Sequence, residues 1–271
     1  MPMNDHSDSP IGVFDSGLGG LTVVKEIIHH LPNERIVYFG DTARVPYGTK
    51  SGETIIRYSR EIVRALLKHK VKMIVVACNT ASSLALEVLK KEFNIPILGV
   101  IEPGARKAAQ VTRNKKVGII ATSSTVKSGK YARKIVQLDK HITVTSLSCP
   151  LFVPLVEEGW FEHAVTYQVA QQYLGTMKKN KVDTLILGCT HYPLLKGVLH
   201  NVMGPKVQLV DSAQEVALQV KELLTKTRQL RTRLRPGQHV FIVSDEPKQF
   251  QRLAMRFLGG GVKNVRRYIN V

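Results

Sequence analysis

The sequence predicts an α/β protein made of two similar domains, each with a mainly parallel sheet covered by helices. Short apolar runs alternate with segments of helical periodicity along the chain. The apolar runs are rich in β-branched residues, as in strands that are buried on both faces. Two of these runs, in IVVACNT and LILGCTH, both end in a cysteine followed by polar residues, and they lie about a domain's length apart. Such alternation is typical of strand–helix–strand units.

The first part of the chain contains four predicted strands, in IGVF, RIVYFG, MIVVA and IPILGV. Helices are expected in LTVVKEIIHHL, ETIIRYSREIVRALLKHK and ASSLALEVLKKEF. The second of these helices carries one stripe at helical spacing, formed by Ile55, Ile56, Ser59, Ile62, Val63, Leu66 and Leu67.

The next part repeats this rhythm. Its strands are expected in KVGIIA, HITVTSL, DTLILG and VQLV, each followed by a helical stretch or a loop. Strands that alternate with helices in this way pair in parallel and are covered by those helices.

The length of 271 residues suits one large domain or two ordinary ones. No apolar run approaches the roughly 18 residues that a spanning helix needs, and the polar opening MPMNDHSDSP is not a signal peptide. We expect residues 1–10 to form a flexible arm on a soluble, cytoplasmic protein with no membrane partner.

Three widely spaced cysteines without a CxxC pair argue against a disulfide framework and against a metal site. Their thiols are then reduced and available for chemistry.

The chain is strongly basic, with 39 Lys and Arg against 21 Asp and Glu and a net charge of +18. This charge permits attraction to nucleic acid or to acidic metabolites. The densest basic stretch is KTRQLRTRLR, but the sequence has no zinc finger, aromatic RNA-stacking motif or basic zipper. We therefore expect a solvated basic surface, with nucleic-acid binding only as a side property.

Two cysteines stand where predicted strands end: Cys78 in IVVACNT and Cys189 in LILGCTH. Ligands of open α/β sheets bind outside the carboxyl ends of strands, so both thiols are expected at a cleft shared by two domains. Duplication or chance can explain the likeness, and each thiol could instead be a small buried hydrophobe.

Asn79 or Thr80 can cap the helix after Cys78, and a helix N-terminus lowers the pKa of a nearby thiol. Cys149 lacks such polar neighbours and is expected to be structural.

The segment DSGLGGL, from Asp15 to Leu21, follows a predicted strand and opens a helix. Gly17 and Gly19 fit the start of a dinucleotide fingerprint, but Thr22 occupies the third glycine position, which weakens that interpretation. One alternative is a tight strand–helix turn. A third interpretation fits better: backbone N–H groups hold a carboxylate while Asp15 places a negative charge over the cleft. The next long loop, DTARVPYGTKS, is expected at the rim of a ligand site.

Two thiols that face each other across a cleft can invert a carbon stereocentre. One thiolate removes a proton from the carbon, and the other thiol returns a proton from the opposite face. A free thiol with a pKa of about 8.5 is only a few per cent ionised at neutral pH, so each needs a proton partner. Asp15 near Cys78 and His191 beside Cys189 are the candidates.

These residues belong to a set of motifs that resembles the glutamate racemases, a family of cofactor-independent amino-acid racemases. The set is FDSGLGGLTV, DTARVPYG, VVACNTAS, LVEEG, LGCTHYPLL and LVDSA, in order from Ile11 to about Ala213. The resemblance implies interconversion of L- and D-glutamate without any cofactor or metal, which supplies D-glutamate for bacterial peptidoglycan. It also implies a homodimer.

The resemblance further implies a domain arrangement, with the active site in the cleft between two similar domains. The first domain would contain residues 1–101 and 211–271, and the second residues 102–210. The strand HVFIVSD would then return to the first domain.

The functional residues of the family match positions in this chain one by one. Its two cysteines match Cys78 and Cys189, and its acid–base assistants match Asp15, His191 and Glu157. Its substrate contacts match Asp15, Ser16, Tyr47, Gly48, Asn79, Thr80, Thr122, Thr125, Thr190 and His191.

Three other functions fit parts of the sequence. An aspartate racemase would use the same two thiols on a shorter substrate. A thiol hydrolase or transferase would need only Cys189 and His191. A nucleic-acid-binding protein would use the basic surface and would bind in a salt-dependent way.

Overall fold

The computed structural model describes residues 7–233, 235–260 and 262–269. Its strands are β1 Ile11–Asp15, β2 Ile36–Gly40, β3 Met73–Val76, β4 Ile97–Gly99, β5 Lys116–Ala121, β6 Thr143–Ser148, β7 Thr184–Gly188, β8 Gln208–Asp211, β9 His239–Val243 and β10 Val265–Arg267. Its α-helices are α1 Leu21–His30, α2 Gly52–Leu67, α3 Asn79–Leu84, α4 Leu86–Glu92, α5 Ile101–Val111, α6 Ser123–Ser128, α7 Lys130–Leu138, α8 Phe152–Glu157, α9 Ala164–Lys179, α10 Lys196–Met203, α11 Ser212–Lys226 and α12 Pro247–Leu258.

The strands form two parallel sheets, which confirms the predicted fold class. The first sheet has the order β10-β9-β2-β1-β3-β4, and the second has the order β6-β5-β7-β8. All the pairs in both sheets are parallel. The strand predicted in HVFIVSD joins the first sheet, where β9 pairs with β2.

The two sheets contain the same four-stranded unit. The order β2-β1-β3-β4 in the first sheet repeats as β6-β5-β7-β8 in the second. Cys78 follows the third strand of its unit, and Cys189 follows the third strand of the other. The short likeness between IVVACNT and LILGCTH therefore reflects equivalent places in two similar halves.

The central strands are buried along their whole length. All the described residues of β1, β2, β3 and β7 are buried, as expected for parallel strands covered on both faces. Strand β6 lies at the edge of its sheet and is partly exposed, which explains its polar sequence TVTSLS. Within the described residues, no helix is both long and apolar enough to cross a membrane.

Helix α2 illustrates how local sequence sets the elements. Ser51 caps its N-terminus by accepting a hydrogen bond from the Thr54 backbone N–H. Most of the predicted stripe is buried, but Ile56 lies at its margin and Leu67 is exposed at the last turn. The helix predicted in ASSLALEVLKKEF is divided at Ala85 into α3 and α4.

The predicted flexible arm needs a correction for its described part. Residues 1–6 lie outside the described residues. Ser7 is buried, and its carbonyl accepts a 2.9 Å hydrogen bond from Lys72 Nζ. Asp8 accepts from Arg231 Nε at 3.0 Å, and the carbonyl of Pro10 accepts from the Lys72 backbone N–H. Residues 7–10 are therefore tied to the first sheet and to the segment after α11.

Candidate active site

A cavity of about 360 Å³ lies where the carboxyl ends of the two sheets face each other. Both Cys78 and Cys189 line it. The other lining residues come from the loops after β1, β2, β3, β5, β6 and β7, and they are Ser16, Gly17, Val45, Pro46, Tyr47, Gly48, Thr49, Asn79, Thr80, Thr122, Ser123, Pro150, Val153, Pro154, Glu157, Thr190 and His191.

Cys78 is itself the N-cap of α3, in the place where Asn79 or Thr80 was expected. Its Sγ accepts a hydrogen bond from the Ala81 backbone N–H at 3.5 Å and lies 3.9 Å from Ser16 Oγ. Burial and the negative charge of Asp15 raise the pKa of the Cys78 thiol to about 12. The predicted lowering of this pKa is therefore wrong. Desolvation disfavours the thiolate more than the hydrogen bond from one backbone N–H of the six-residue helix α3 favours it.

Cys189 has a different environment. Its Sγ lies 3.9 Å from His191 Nδ1, and His191 Nε2 lies 3.1 Å from Glu157 Oε1. Burial alone would lower the pKa of His191, but the hydrogen bonds and negative charges of Cys189 and Glu157 raise it to about 10. The three side chains thus form a relay in which a proton on His191 is stabilised from both sides.

Asp15 lies behind the cavity and is completely buried. Its Oδ2 accepts a hydrogen bond from the Gly17 N–H at 3.1 Å, while its Oδ1 has no partner among the described residues. Burial raises the pKa of Asp15, against the opposing effects of His191 and nearby backbone N–H groups. Asp15 and Thr125 are the two predicted site residues that do not line the cavity.

The glycines of DSGLGGL provide space for the site. A Cβ on Gly19 would lie 2.1 Å from Thr190 Oγ1 and 2.6 Å from His191 Nδ1. A Cβ on Gly20 would lie 2.4 Å from the Cβ of Asp15. The glycines therefore let the turn between β1 and α1 approach Asp15, Thr190 and His191 closely. The predicted binding of a carboxylate by backbone N–H groups of this segment stays a prediction.

Three threonine hydroxyls from the two halves meet beside the cavity. Thr80 Oγ1 lies 2.9 Å from Thr122 Oγ1 and 3.3 Å from Thr125 Oγ1. Thr122 also caps α6 by accepting from the Thr125 backbone N–H. Thr125 therefore orients Thr80 and Thr122, which line the cavity.

Asn79 is held by a buried tyrosine of the second half. Tyr131 Oη donates to Asn79 Oδ1 at 2.7 Å and lies 3.0 Å from Ser212 Oγ. With its oxygen engaged by Tyr131, Asn79 keeps its amide NH2 group available as a donor at the cavity that the residue lines.

The loop after β2 closes one side of the cavity, as predicted. Tyr47 Oη donates to Asp41 Oδ2, and burial together with the charge of Asp41 raises the pKa of Tyr47. The carbonyl of Gly48 accepts a 2.8 Å hydrogen bond from Ser124 Oγ of the second half. This contact joins the loop to the start of α6.

Sequence reasoning missed part of the lining. Val45, Pro46 and Thr49 belong to the loop expected at the rim, where the sequence predicts only Tyr47 and Gly48 as substrate contacts. Val153 and Pro154 immediately precede LVEEG, and their apolar character gave no signal of a site. Cys149 is buried in the core and does not line the cavity.

The geometry supports proton transfer on two sides of a small ligand. One side presents Cys78 with Ser16 and the buried Asp15, and the other presents Cys189 with His191. In the part of the chain that the structure describes, no group of three or more His, Cys, Asp or Glu side chains could hold a metal ion.

Comparisons with known proteins agree with this geometry. Residues 11–220 match the family model described as Asp/Glu/hydantoin racemase. A glutamate racemase of Geobacter metallireducens is 53% identical over 255 residues, which cover 94% of each chain. The crystal structure of a glutamate racemase isoform from Bacillus anthracis superposes with a TM-score of 0.94 at 39% identity and covers 97% of this chain and 98% of its own.

A third relative was solved with a ligand. The glutamate racemase of Francisella tularensis in complex with D-glutamate superposes with a TM-score of 0.91 at 36% identity. The match covers 97% of this chain and 98% of that one.

Proposed function

Since the chain belongs to the Asp/Glu/hydantoin racemase family, we propose that it is a glutamate racemase that moves the α proton between two thiols. The reaction interconverts L- and D-glutamate, and its D-glutamate serves peptidoglycan synthesis in the cell wall. The single observation that carries the two-thiol mechanism is the placement of Cys78 and Cys189 at equivalent strand ends of one cavity.

The proposed reaction conserves protons and inverts one carbon. A thiolate on one side takes the α proton, and the electron pair of the C–H bond remains on the α carbon as a carbanion. The thiol on the other side donates its proton to the opposite face of that carbon. The protein ends with the thiol and thiolate exchanged, and it is then ready for the reverse reaction.

Each thiol is proposed to have its own proton partner. His191 takes the Cys189 proton, and Glu157 stabilises the imidazolium that forms. Cys78 holds its proton strongly in the buried site, so it is the acid in the resting protein. The free Oδ1 of Asp15 is proposed to accept or supply a proton on this side.

Polar groups at the strand ends are proposed to bind the substrate. Ser16, Asn79 and Thr80 from the first half, with Thr122 and Thr190 from the second, would hold the two carboxylates. Such fixed dipoles can also stabilise the charge that develops in the transition state. Tyr47 and Gly48 would close the cavity from the β2 loop, while Thr125 and Asp15 would act from behind the lining.

The test is to incubate the purified protein with L-glutamate in D2O without added cofactor. We expect the α proton to exchange in the NMR spectrum and the optical rotation to decay to zero. If aspartate and not glutamate exchanges its α proton, the two-thiol mechanism holds and the substrate is aspartate. If neither amino acid exchanges its α proton, the racemase is refuted and the thiol hydrolase built on Cys189 and His191 is favoured.

Three further properties are proposed. One is a first domain of residues 1–101 and 211–271 and a second of 102–210, which separate expression of the second would test. The division of the strands between the two sheets supports it, except that β8 of the second sheet extends one residue further, to Asp211. The free thiols suit a cytoplasmic enzyme, to be checked by cell fractionation. A homodimer rests on the family resemblance, and light scattering on the eluted protein would measure its mass.

A further inference from the structure

The C-terminal helix α12 connects the first sheet to the Cys189 side of the cavity. Its Phe250 stacks on Tyr38 of β2, with ring centroids 6.0 Å apart. Near its other end, Arg256 Nη1 donates a 2.7 Å hydrogen bond to the backbone carbonyl of Glu157. Helix α12 is thus anchored on the first sheet and reaches Glu157 of the second half, the residue whose carboxylate contacts His191.

The carbonyl of Glu157 is a suitable target for a guanidinium group. Helix α8 ends at Glu157, so this carbonyl is one of the last four that find no partner within a helix. Among the described residues, this carbonyl accepts its hydrogen bond from Arg256. A positive charge at a helix C-terminus is favourable, and here it comes from a different part of the chain.

Gly159 makes room for this contact. It has a φ of +80°, and a Cβ there would lie 2.9 Å from Arg256 Nη1 and 3.0 Å from Cζ. The glycine of LVEEG therefore permits both the turn after α8 and the close approach of the guanidinium.

The next residue of α12 supports His191 directly. Phe257 is buried, and its ring meets the imidazole edge to face, with centroids 5.6 Å apart and an interplanar angle of 87°. Consecutive residues of one helix therefore contact both partners of the pair formed by His191 and Glu157.

We propose that Arg256 is a positioning residue, which holds the Glu157 backbone so that its carboxylate reaches His191 and keeps the Cys189 side ready for proton transfer. Arg256 does not line the cavity that contains the two thiols, so it acts through Glu157. This inference rests on the proposed racemase function.

The two-sided reaction gives a specific signature for such a role. The enantiomers have equal free energy, so any variant must show the same kcat/KM in both directions. The isotope effects need not be equal. A weakened Cys189 step becomes more rate-limiting, so the effect of α-deuterium rises only in the direction in which Cys189 removes the substrate proton. A general structural loss would not select one direction.

The experiment compares Arg256→Ala with Arg256→Lys and with Arg252→Ala, a control on the same helix that has no contact with Glu157 among the described hydrogen bonds. We expect Arg256→Ala to lower kcat by about tenfold, as a small misplacement of a reacting group would. Its α-deuterium effect should rise for one enantiomer of glutamate only. Arg256→Lys should recover part of kcat, and Arg252→Ala should match the wild type.

The outcomes separate the two hypotheses. If the wild type racemises glutamate but Arg256→Ala has unchanged kcat, or changed isotope effects of equal size in both directions, the positioning role is refuted. If the wild type itself does not racemise glutamate, the proposed function fails, and the positioning role fails with it.

Discussion

His191 uses its two ring nitrogens on two different partners: Nδ1 lies 3.9 Å from Cys189 Sγ and Nε2 lies 3.1 Å from Glu157 Oε1. No such imidazole accompanies Cys78 among the described hydrogen bonds, where Ser16 and the Ala81 N–H are the contacts. Equivalent strand ends thus carry unequal proton partners. The protein combines a pseudo-symmetric scaffold with a chemically asymmetric site.

We predict that Glu157→Gln lowers the pKa of His191. The carboxylate is one of the groups that raise this pKa to about 10, and an amide has no charge to stabilise the imidazolium. Titration of ¹³C-labelled histidine by NMR measures the change, with His191→Asn used to assign the signal. An unchanged pKa would show that Cys189 alone stabilises the proton.

The same shift has a consequence for stability. The pKa of His191 in the folded protein is raised above its ordinary 6.5. The stability that the protonated imidazole gives the fold is therefore fully present below pH 6.5 and is lost as the pH rises through about 10. Glu157→Gln should therefore destabilise the protein most just below pH 6.5, progressively less as the pH rises, and least above pH 10. Urea denaturation at several pH values checks this sign.

Replacement of either thiol should abolish racemisation. Cys78→Ser and Cys189→Ser each leave one face of the α carbon without a proton carrier, since a serine hydroxyl is far too weak an acid to replace the thiol. Loss of about a thousandfold or more in kcat is expected, as with other essential nucleophiles and bases. Polarimetry on L- and D-glutamate measures it. Cys149→Ser is the matched control, because Cys149 lies outside the cavity. A single-thiol variant with nearly wild-type rates would contradict the two-thiol mechanism.

Gly19→Ala should reduce activity by a purely steric effect on the site. Its Cβ would lie 2.1 Å from Thr190 Oγ1 and 2.6 Å from His191 Nδ1, so the side chains of Thr190 and His191, next to Cys189, must shift. We expect kcat to fall about a hundredfold, because misplacement by about 1 Å has that effect. Gly175→Ala is the control: it lies in α9 with nothing within 4 Å of its added Cβ. The control should retain activity and gain about 0.5–1 kcal/mol of stability.

The strands and the two thiols could be predicted from the sequence because each has a local signal. Apolar β-branched runs mark buried parallel strands, and the polar residues after Cys78 and Cys189 mark the strand ends. His191 could be predicted from its position two residues after Cys189. Glu157 is indicated only by the family resemblance, because 34 residues separate it from His191.

Other features depend on contacts that no short segment encodes. The pKa of Cys78 was predicted with the wrong sign because a helix N-terminus is visible in the sequence, whereas burial beside Asp15 is not. The contact of Arg256 with Glu157 joins residues 99 apart, and the sequence motifs around them do not indicate it.

Tyr131→Phe should weaken substrate binding more than it alters the fold. The change leaves the buried Asn79 Oδ1 without its 2.7 Å hydrogen bond, which frees the amide to rotate away from the cavity. We expect KM for glutamate to rise about five- to tenfold, in line with the roughly 1–1.5 kcal/mol of a typical hydrogen bond. Steady-state kinetics measures the change. A variant with wild-type KM would show that the orientation of Asn79 does not matter for binding.

Lys72→Met should destabilise the protein without any direct effect on the cavity. Lys72 Nζ is fully buried and lies 2.6 Å from Glu34 Oε2, and it also donates to the carbonyls of Ser7 and Gln229. Removing it leaves the buried Glu34 carboxylate without its ion-pair partner, and breaking a buried pair in this way typically costs about 3–5 kcal/mol. Urea denaturation measures this loss. The double variant Lys72→Met with Glu34→Gln should recover part of it, because the amide can still accept from the Arg231 N–H without an uncompensated charge. A double variant no more stable than the single one would show that the contacts to Ser7 and Gln229, and not the ion pair, hold this part of the chain.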